Sequence, residues 1–442
     1  MASPVGKPPL PLAPPEVENA AAVAAVRAAT FSRRFRRPLF ESYSFARLPA
    51  AISRLLTGDG PLGLPEDTLQ GLVGGWDTVI LLFVDAFGWD LFQRHRDRLT
   101  ALRRFDRDGV VSPLTSQFPS TTAAHVTTLH TGLPVGRHGV VEWSYYEPAL
   151  DRLINPLPFR AADGVNGTDT LLAAGVDPAA VFDWETVYPR LAASGVEAIA
   201  FQPASIAGSV FSQRVLAGAT SRPYSTVDEG LALLLDETRR PGGKRLLIFY
   251  YSGIDTTAHL HGPNAPATDA EVSAFWATVE RRLLRHPANA AGRTLLLVTA
   301  DHGQTEANVG RPWYVNIEIP QIVPLLRTGS DGRPLAPGGS PPDLLLYVKP
   351  DHVDEVADRL ACRIEGIGEV HRIDDLIAEG FFGPPPHHPL LRARLGDLVA
   401  LAYPGEAIWW YEPGVHWVRF RGHHGGLSPA EMDTLLLALP LF

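Results

Sequence analysis

Asp301 and His302 stand side by side at the end of an apolar run, Arg293-Thr-Leu-Leu-Leu-Val-Thr-Ala-Asp-His-Gly303. Asp85 closes a second such run, Thr78-Val-Ile-Leu-Leu-Phe-Val84, and Asp255 follows a third, Arg245-Leu-Leu-Ile-Phe-Tyr-Tyr251, after a short turn. Four residues beyond Asp255 comes His259, a spacing that puts both side chains on one side of a helical turn. Far along the chain, Gly422-His-His-Gly-Gly offers one more imidazole, from His423 or His424. Carboxylates and imidazoles converging from several elements are what a divalent ion needs. Six such donors are too many for one tetrahedral ion and suit two, provided a hydroxyl adds a seventh. The segment Phe118-Pro-Ser-Thr-Thr-Ala-Ala-His-Val-Thr-Thr-Leu-His-Thr-Gly132 supplies hydroxyls in a turn leading into a short helix. A Thr in the first turn of a helix faces free N–H groups and the positive end of the dipole, where a phosphate is favoured. A metal on its oxygen would make it a nucleophile near neutral pH, and a second metal could stabilise the leaving oxygen. The residues therefore read as two-metal phosphoryl or sulfuryl transfer through a Thr.

These side chains need rigid carriers. The apolar runs lack alternation, as strands buried on both faces do in a parallel sheet covered by helices. In open α/β sheets the rim at the strand ends is where ligands bind. Candidate strands are 78–84, 110–114, 196–202, 245–251 and 294–300. Thr268 with Glu271 reads as a capping box that opens a helix running to about Arg285. A Gly/Pro-rich break over 328–342 precedes a strand–helix–strand unit (343–349, 353–363, 368–373) and a hairpin-like pair, 407–412 and 415–421. The expected organisation is a flexible or peripheral segment over 1–75, an α/β catalytic core over 76–339, a small inserted α+β subdomain over 340–420, and a C-terminal return to the core over 421–442.

Bulk properties are compatible with this reading. A chain of 442 residues can bury a large core, and its net charge of −9 argues against a nucleic-acid polymer or an anionic membrane as partner. The single cysteine, Cys362, excludes an intrachain disulfide and a thiolate metal cluster. The start of the chain lacks the basic-then-apolar pattern of a signal peptide, so a cytoplasmic enzyme acting on a small molecule is the expectation.

In order and spacing, five pieces resemble the alkaline phosphatase superfamily and, within it, the type I phosphodiesterase/nucleotide pyrophosphatase family. They are strand-ending Asp85, the Phe-Pro…Thr…Thr-Gly segment with Gly136-Arg-His-Gly139, Asp255-xxx-His259-xx-Gly-Pro263, Asp301-His-Gly303 and Gly422-x-His424-Gly. The resemblance implies an alkaline phosphatase-like fold with a central, mostly parallel sheet flanked by helices. It also implies two divalent ions, zinc first with manganese or iron as substitutes, and hydrolysis of phosphodiester or pyrophosphate bonds. Carried over by position, Asp255, His259 and His424 hold one ion. Asp85, Asp301, His302 and the nucleophile Thr122 hold the other, Thr122 lying ten residues before Gly132 as the family has it.

Blander roles compete. Each carboxylate alone could cap a loop, and Thr121 could exchange roles with Thr122. His125, His130, His138 and His261 read as structural or solvent-facing, His387 and His388 as loop residues, and Trp409, Trp410, Tyr411 and Trp417 as hairpin packing. There is one departure. Where the family has an Asn that holds a phosphate oxygen, Trp143 stands between Glu142 and Ser144. A phosphomonoesterase, phosphonate hydrolase or phosphomutase on the same core is the alternative enzyme, recognisable by a cation such as Arg137 or Arg214 reaching the phosphate. A metal-stabilised binding protein is the non-enzymatic alternative, and the filling of all seven positions argues against it.

Overall fold

The computed structural model describes residues 18–162, 167–285, 292–414 and 418–441. Seven strands form the central sheet: β1 (Thr78–Val84), β2 (Val110–Thr115), β3 (Val196–Pro203), β4 (Thr220–Tyr224), β5 (Lys244–Tyr251), β6 (Thr294–Thr299) and β7 (Asp433–Pro440). Their order is β2-β7-β6-β1-β5-β3-β4. The five strands from β6 to β4 run parallel, whereas β7 is antiparallel to both β6 and β2. Every residue of β1 and β6 is buried. Apolar clusters cover the sheet on both faces, one containing Leu81 and Phe83, the other Ile80 and Leu82. Burial on both sides explains why the strand sequences are continuous apolar runs without alternation.

Helix α1 (Thr122–Thr131) starts after Thr121, whose extended backbone (φ −127°, ψ 149°) makes it the N-cap, and ends at left-handed Gly132 (φ 72°). Helix α2 (Gly253–His261) follows β5 and carries Asp255 in its first turn and His259 in its last. Helix α3 (Pro266–Val279) corrects the expected capping box. It begins two residues before Thr268, with Pro266 at its first position and Ala265 as N-cap. The Thr268 hydroxyl instead donates to the Gly262 carbonyl (2.7 Å), and the Glu271 carboxylate accepts the Tyr251 hydroxyl, so neither side chain is available to cap.

The 353–363 helix forms as expected (Val353–Arg363). Strands Asp343–Leu346 and Gly368–Arg372 also form, but both pair with Leu398–Ala402, a middle strand that the sequence reading missed. The hairpin does not appear: Ile408–Trp409 pairs in parallel with Trp313–Tyr314, and Gly422–His423 pairs with Thr305–Glu306. Residues 415–417 of its second arm, Trp417 included, lie outside the described residues. Trp409 and Trp410 are buried in the core of this second sheet, so they are first of all packing residues.

Residues 1–17 also lie outside the described residues. The rest of the expected peripheral segment is not peripheral. Phe45, Leu48, Leu55 and Leu56 are fully buried in the same core as β1. The Arg-rich run Arg33-Arg-Phe-Arg-Arg37 contributes a two-pronged pair, Arg36 Nε and Nη2 each 3.0 Å from an Asp433 oxygen at the start of β7. Amphipathic helix Leu48–Thr57 drives this packing, a signal that the flanking Pro- and Arg-rich stretches obscured.

Candidate active site

Strand order gathers the site. β6, β1 and β5 are neighbours, and β1 pairs in register with both, so its end lies level with theirs. The residues that leave these three strands, Asp301, Asp85 and Asp255, therefore meet at one rim. Ala86, the residue after Asp85, takes a left-handed conformation (φ 61°), and its N–H donates to Asp301 Oδ1 (3.2 Å). Such a conformation in a non-glycine residue is strained and persists where its surroundings enforce it. The tight glycines have a steric reason. A Cβ on Gly303 would stand 2.1 Å from the Ala430 carbonyl oxygen, and one on Gly422 would stand 2.3 Å from Gln304 Oε1 and 2.4 Å from the Ala258 oxygen.

Two groups of three donors have ligand atoms within 4.8 Å of one another: Asp85, Asp301 and His302, and Asp255, His302 and His424. His302 Nε2 lies 3.6 Å from Asp85 Oδ1 and 3.4 Å from Asp301 Oδ2. Around Asp255 Oδ1 stand His259 Nε2 at 3.3 Å and His424 Nε2 at 3.7 Å. The His302 and His424 rings stack with centroids 3.7 Å apart. Thr122 Oγ1 lies between, 3.5 Å from each Asp85 oxygen and 3.2 Å from His302 Nε2. All seven residues singled out in the sequence are thus brought together. The late imidazole of the site is His424; His423 turns to the Phe420 carbonyl instead.

The three site imidazoles share one orientation. Nδ1 of His259 faces the Gly422 carbonyl (2.7 Å), that of His302 the Gly303 carbonyl (3.0 Å) and that of His424 the Ser120 carbonyl (3.0 Å). A carbonyl only accepts, so the ring proton belongs on Nδ1 and the Nε2 lone pair points into the site, the tautomer that a metal ligand requires. Burial holds His302 and His424 well below the usual imidazole range. Burial pushes Asp301 up to about 7 and raises Asp255. Burial, then the neighbouring Asp301 and Asp255 carboxylates, raises Asp85 well above its usual range. Asp301 Oδ2 is buried without a hydrogen-bond partner. Three carboxylates that resist being charged together, three imidazoles with Nε2 turned inward and an orphaned oxygen are a donor set that fits a cation, and mixed O/N ligation suits zinc, manganese or iron.

Two residues of the surround were missed. Tyr250 Oη donates to Asp85 Oδ2 (2.5 Å), and Gln304 Nε2 donates to Asp255 Oδ1 (2.5 Å). Their signal was position alone: Gln304 directly follows Asp301-His-Gly303, and Tyr250 is the next-to-last residue of an apolar strand. Three further histidines have internal partners. His125 bonds Ser116, the Gln117 N–H and the Thr121 carbonyl, His130 the Tyr188 hydroxyl and His138 the Thr128 hydroxyl.

Above these groups opens a cavity of about 610 Å³, bordered by Asp85, Thr122, Asp255, His259 and His424. Trp143 lines it, 45% exposed, and so does Asn155, whose Nδ2 donates to the Trp143 carbonyl (3.0 Å). Neither Arg137 nor Arg214 borders the cavity; the arginines that do are Arg160 and Arg419.

A hydrolytic site at the strand ends of a mostly parallel α/β sheet defines the class, and the comparisons give the family. Residues 79–427 match the type I phosphodiesterase / nucleotide pyrophosphatase family, so the chain belongs to that family of phosphate-ester hydrolases, within the alkaline phosphatase superfamily. Among solved structures it is similar to murine ectonucleotide pyrophosphatase / phosphodiesterase 5, with 19% identity and a TM-score of 0.59 over 82% of this chain and 87% of that one. The inactive murine variant in complex with AMP matches at 18% identity and a TM-score of 0.58, and the human enzyme at 17% and 0.56, each over the same shares of the chains. Identities this low bear on the fold alone. A comparison with curated proteins returned no match. No helix among the described residues is long and apolar enough to cross a membrane.

Proposed function

We propose that the chain hydrolyses phosphodiester or pyrophosphate bonds of small molecules through Thr122, with two divalent metal ions, zinc preferred. Asp255, His259 and His424 would hold one ion, and Asp85, Asp301, His302 and Thr122 the other. The observation that supports this most is the common aim of three Nε2 lone pairs and three carboxylates around the Thr122 hydroxyl. When bound, the ions supply a lowered hydroxyl pKa, charge neutralisation at phosphorus and stabilisation of the leaving oxygen. The chain supplies the rest. Thr122, first residue of α1, attacks beside the free N–H groups of the helix start. Its Oγ1–phosphorus bond forms as its proton departs, and the bond from phosphorus to the leaving oxygen breaks. That oxygen takes a proton from solvent in the cavity. Water then attacks phosphorus, the Oγ1–phosphorus bond breaks, and Oγ1 takes up a proton that the water gives up.

Arg160 and Arg419 on the cavity wall favour a second reading, a monoesterase whose terminal phosphate is clamped by a cation. Diesters carry one charge fewer and need less clamping. The test is turnover of matched aryl phosphate diesters and monoesters and an aryl sulfate by metal-free protein and after zinc is returned. The proposal expects activity only with metal and a higher kcat/KM for the diester. A monoester preference of about tenfold, some 1.4 kcal/mol of transition-state discrimination, selects the second reading. No turnover with stoichiometric metal bound rejects both.

A further inference from the structure

A second cavity, of about 270 Å³, leaves the first at the nucleophile. The two share Thr122, Trp143, Leu157 and Tyr250 as a common wall. Beyond it the lining is of another kind: Val126 of α1, Phe201 of β3, Ile248 of β5, and Phe211, Val215 and Leu216 from the helix Val210–Val215 and its C-cap. No Asp, Glu, Lys or Arg borders this branch among the described residues. Three of its polar side chains are engaged elsewhere: the His130 ring bonds the Tyr188 hydroxyl, Gln202 Nε2 donates to Ser221 (3.3 Å), and the Ser209 hydroxyl accepts the Ser212 N–H. No charged side chain of the described residues is left here to recognise a charged ligand. A cavity of about 150 Å³ with a comparable apolar lining is enough to hold benzene, so there is room here for a substituted ring or a short chain.

We propose that this branch is the subsite for one ester group of the substrate, and that the group is uncharged and predominantly apolar, an alkyl chain or a simple aryl ring. This rests on the Thr122 hydrolase reading and narrows its substrate class. In-line displacement puts the leaving oxygen on the far side of phosphorus from Thr122 Oγ1. A wall built on Thr122 itself therefore serves the group that stays on phosphorus. The occupant gains by removing apolar area from water, about threefold to fourfold in affinity per buried methylene.

The experiment keeps p-nitrophenol as leaving group and varies the other ester: methyl, propyl, hexyl, phenyl and 5-carboxypentyl, with zinc supplied. From methyl to hexyl, kcat/KM should rise by about tenfold or more, and the carboxypentyl ester should fall back toward methyl. Ile206 borders the branch and is 37% exposed, so Ile206→Asp should fold and bring the hexyl-to-methyl ratio close to one. Val126→Phe, which narrows the branch, should penalise hexyl more than propyl. A flat series in an active wild-type enzyme, or a preference for the carboxylate chain, overturns the inference and leaves the hydrolase reading standing. No turnover of any ester with metal bound overturns the hydrolase reading itself.

Discussion

Thr121 and Thr122 are adjacent in sequence, yet the helix start separates their roles. Thr122 Oγ1 lies 3.2 Å from His302 Nε2, whereas the buried Thr121 hydroxyl has no partner. Thr122→Ala should lower kcat by about 10³-fold or more, as removal of a covalent nucleophile does, with melting temperature and bound metal nearly unchanged. Thr122→Ser keeps the oxygen and should retain part of the rate. Steady-state kinetics beside elemental analysis checks both, and a dead Thr121→Ala with an active Thr122→Ala would move the nucleophile by one residue. Gln304 and Tyr250 act through the carboxylates they touch. Gln304→Leu and Tyr250→Phe should each weaken metal affinity by about 10- to 100-fold, the usual cost of losing a hydrogen bond to a ligand, read by competition with a chromogenic chelator. The donors themselves could be read from the sequence because metal ligation restricts residue type and the motifs fix their spacing. Tyr250 and Gln304 could not, since a Tyr near the end of a strand and a Gln after a glycine are ordinary until the chain is folded.

Burial on both faces marks a strand in sequence, so β1, β2, β3, β5 and β6 were recognised within about two residues. β4 was not: four of its five residues are exposed, and its sequence, Thr-Ser-Arg-Pro-Tyr224, carries a proline that only an edge position tolerates. Leu398–Ala402 was hidden differently, because an apolar five-residue run after two Pro-rich breaks does not reveal its partners. Adjacency of β6, β1 and β5 was equally invisible, and it is what turns three strand-end carboxylates into one site. The glycines between these elements carry a testable consequence. Gly303→Ala sets a methyl against the Ala430 carbonyl and should cost about 1–3 kcal/mol through forced backbone shifts. Thermal denaturation measures it, and an unchanged melting temperature would contradict the tight approach. Gly332→Ala has open space around it but a left-handed backbone (φ 78°), so its smaller cost should come from strain alone.

Across the molecule, three buried acids tie distant segments together behind the site: Glu142 next to Trp143, Asp343 at the start of the second sheet, and Glu431 after the His424 loop. Burial pushes Glu142 from 4.5 up to about 8 and Glu431 to about 7. Burial and the Glu142 carboxylate raise Asp343 well above its usual range. Folded-state values above the unfolded ones mean that the native chain binds these protons more tightly. Their stabilisation is full below about 4.5 and is lost as pH rises through 7 to 8. The melting temperature of the metal-free protein should fall between about pH 4.5 and 8, and Glu142→Gln should flatten that fall. An equally steep profile in the variant would assign the dependence to other groups.

The place of β7 sets a timetable. It is the last strand of the described chain, yet it lies second in the sheet, hydrogen-bonded to β2 on one side and β6 on the other. Until it docks, β2 is cut off from the five parallel strands, and β6 presents an open edge that invites wrong partners. Because chains emerge from the ribosome amino end first, every other strand must wait for it, and the His424 loop just upstream waits with it. A nascent chain halted before residue 433 should therefore carry all six nitrogen and carboxylate donors while β2 and β6 still lack the strand that joins them.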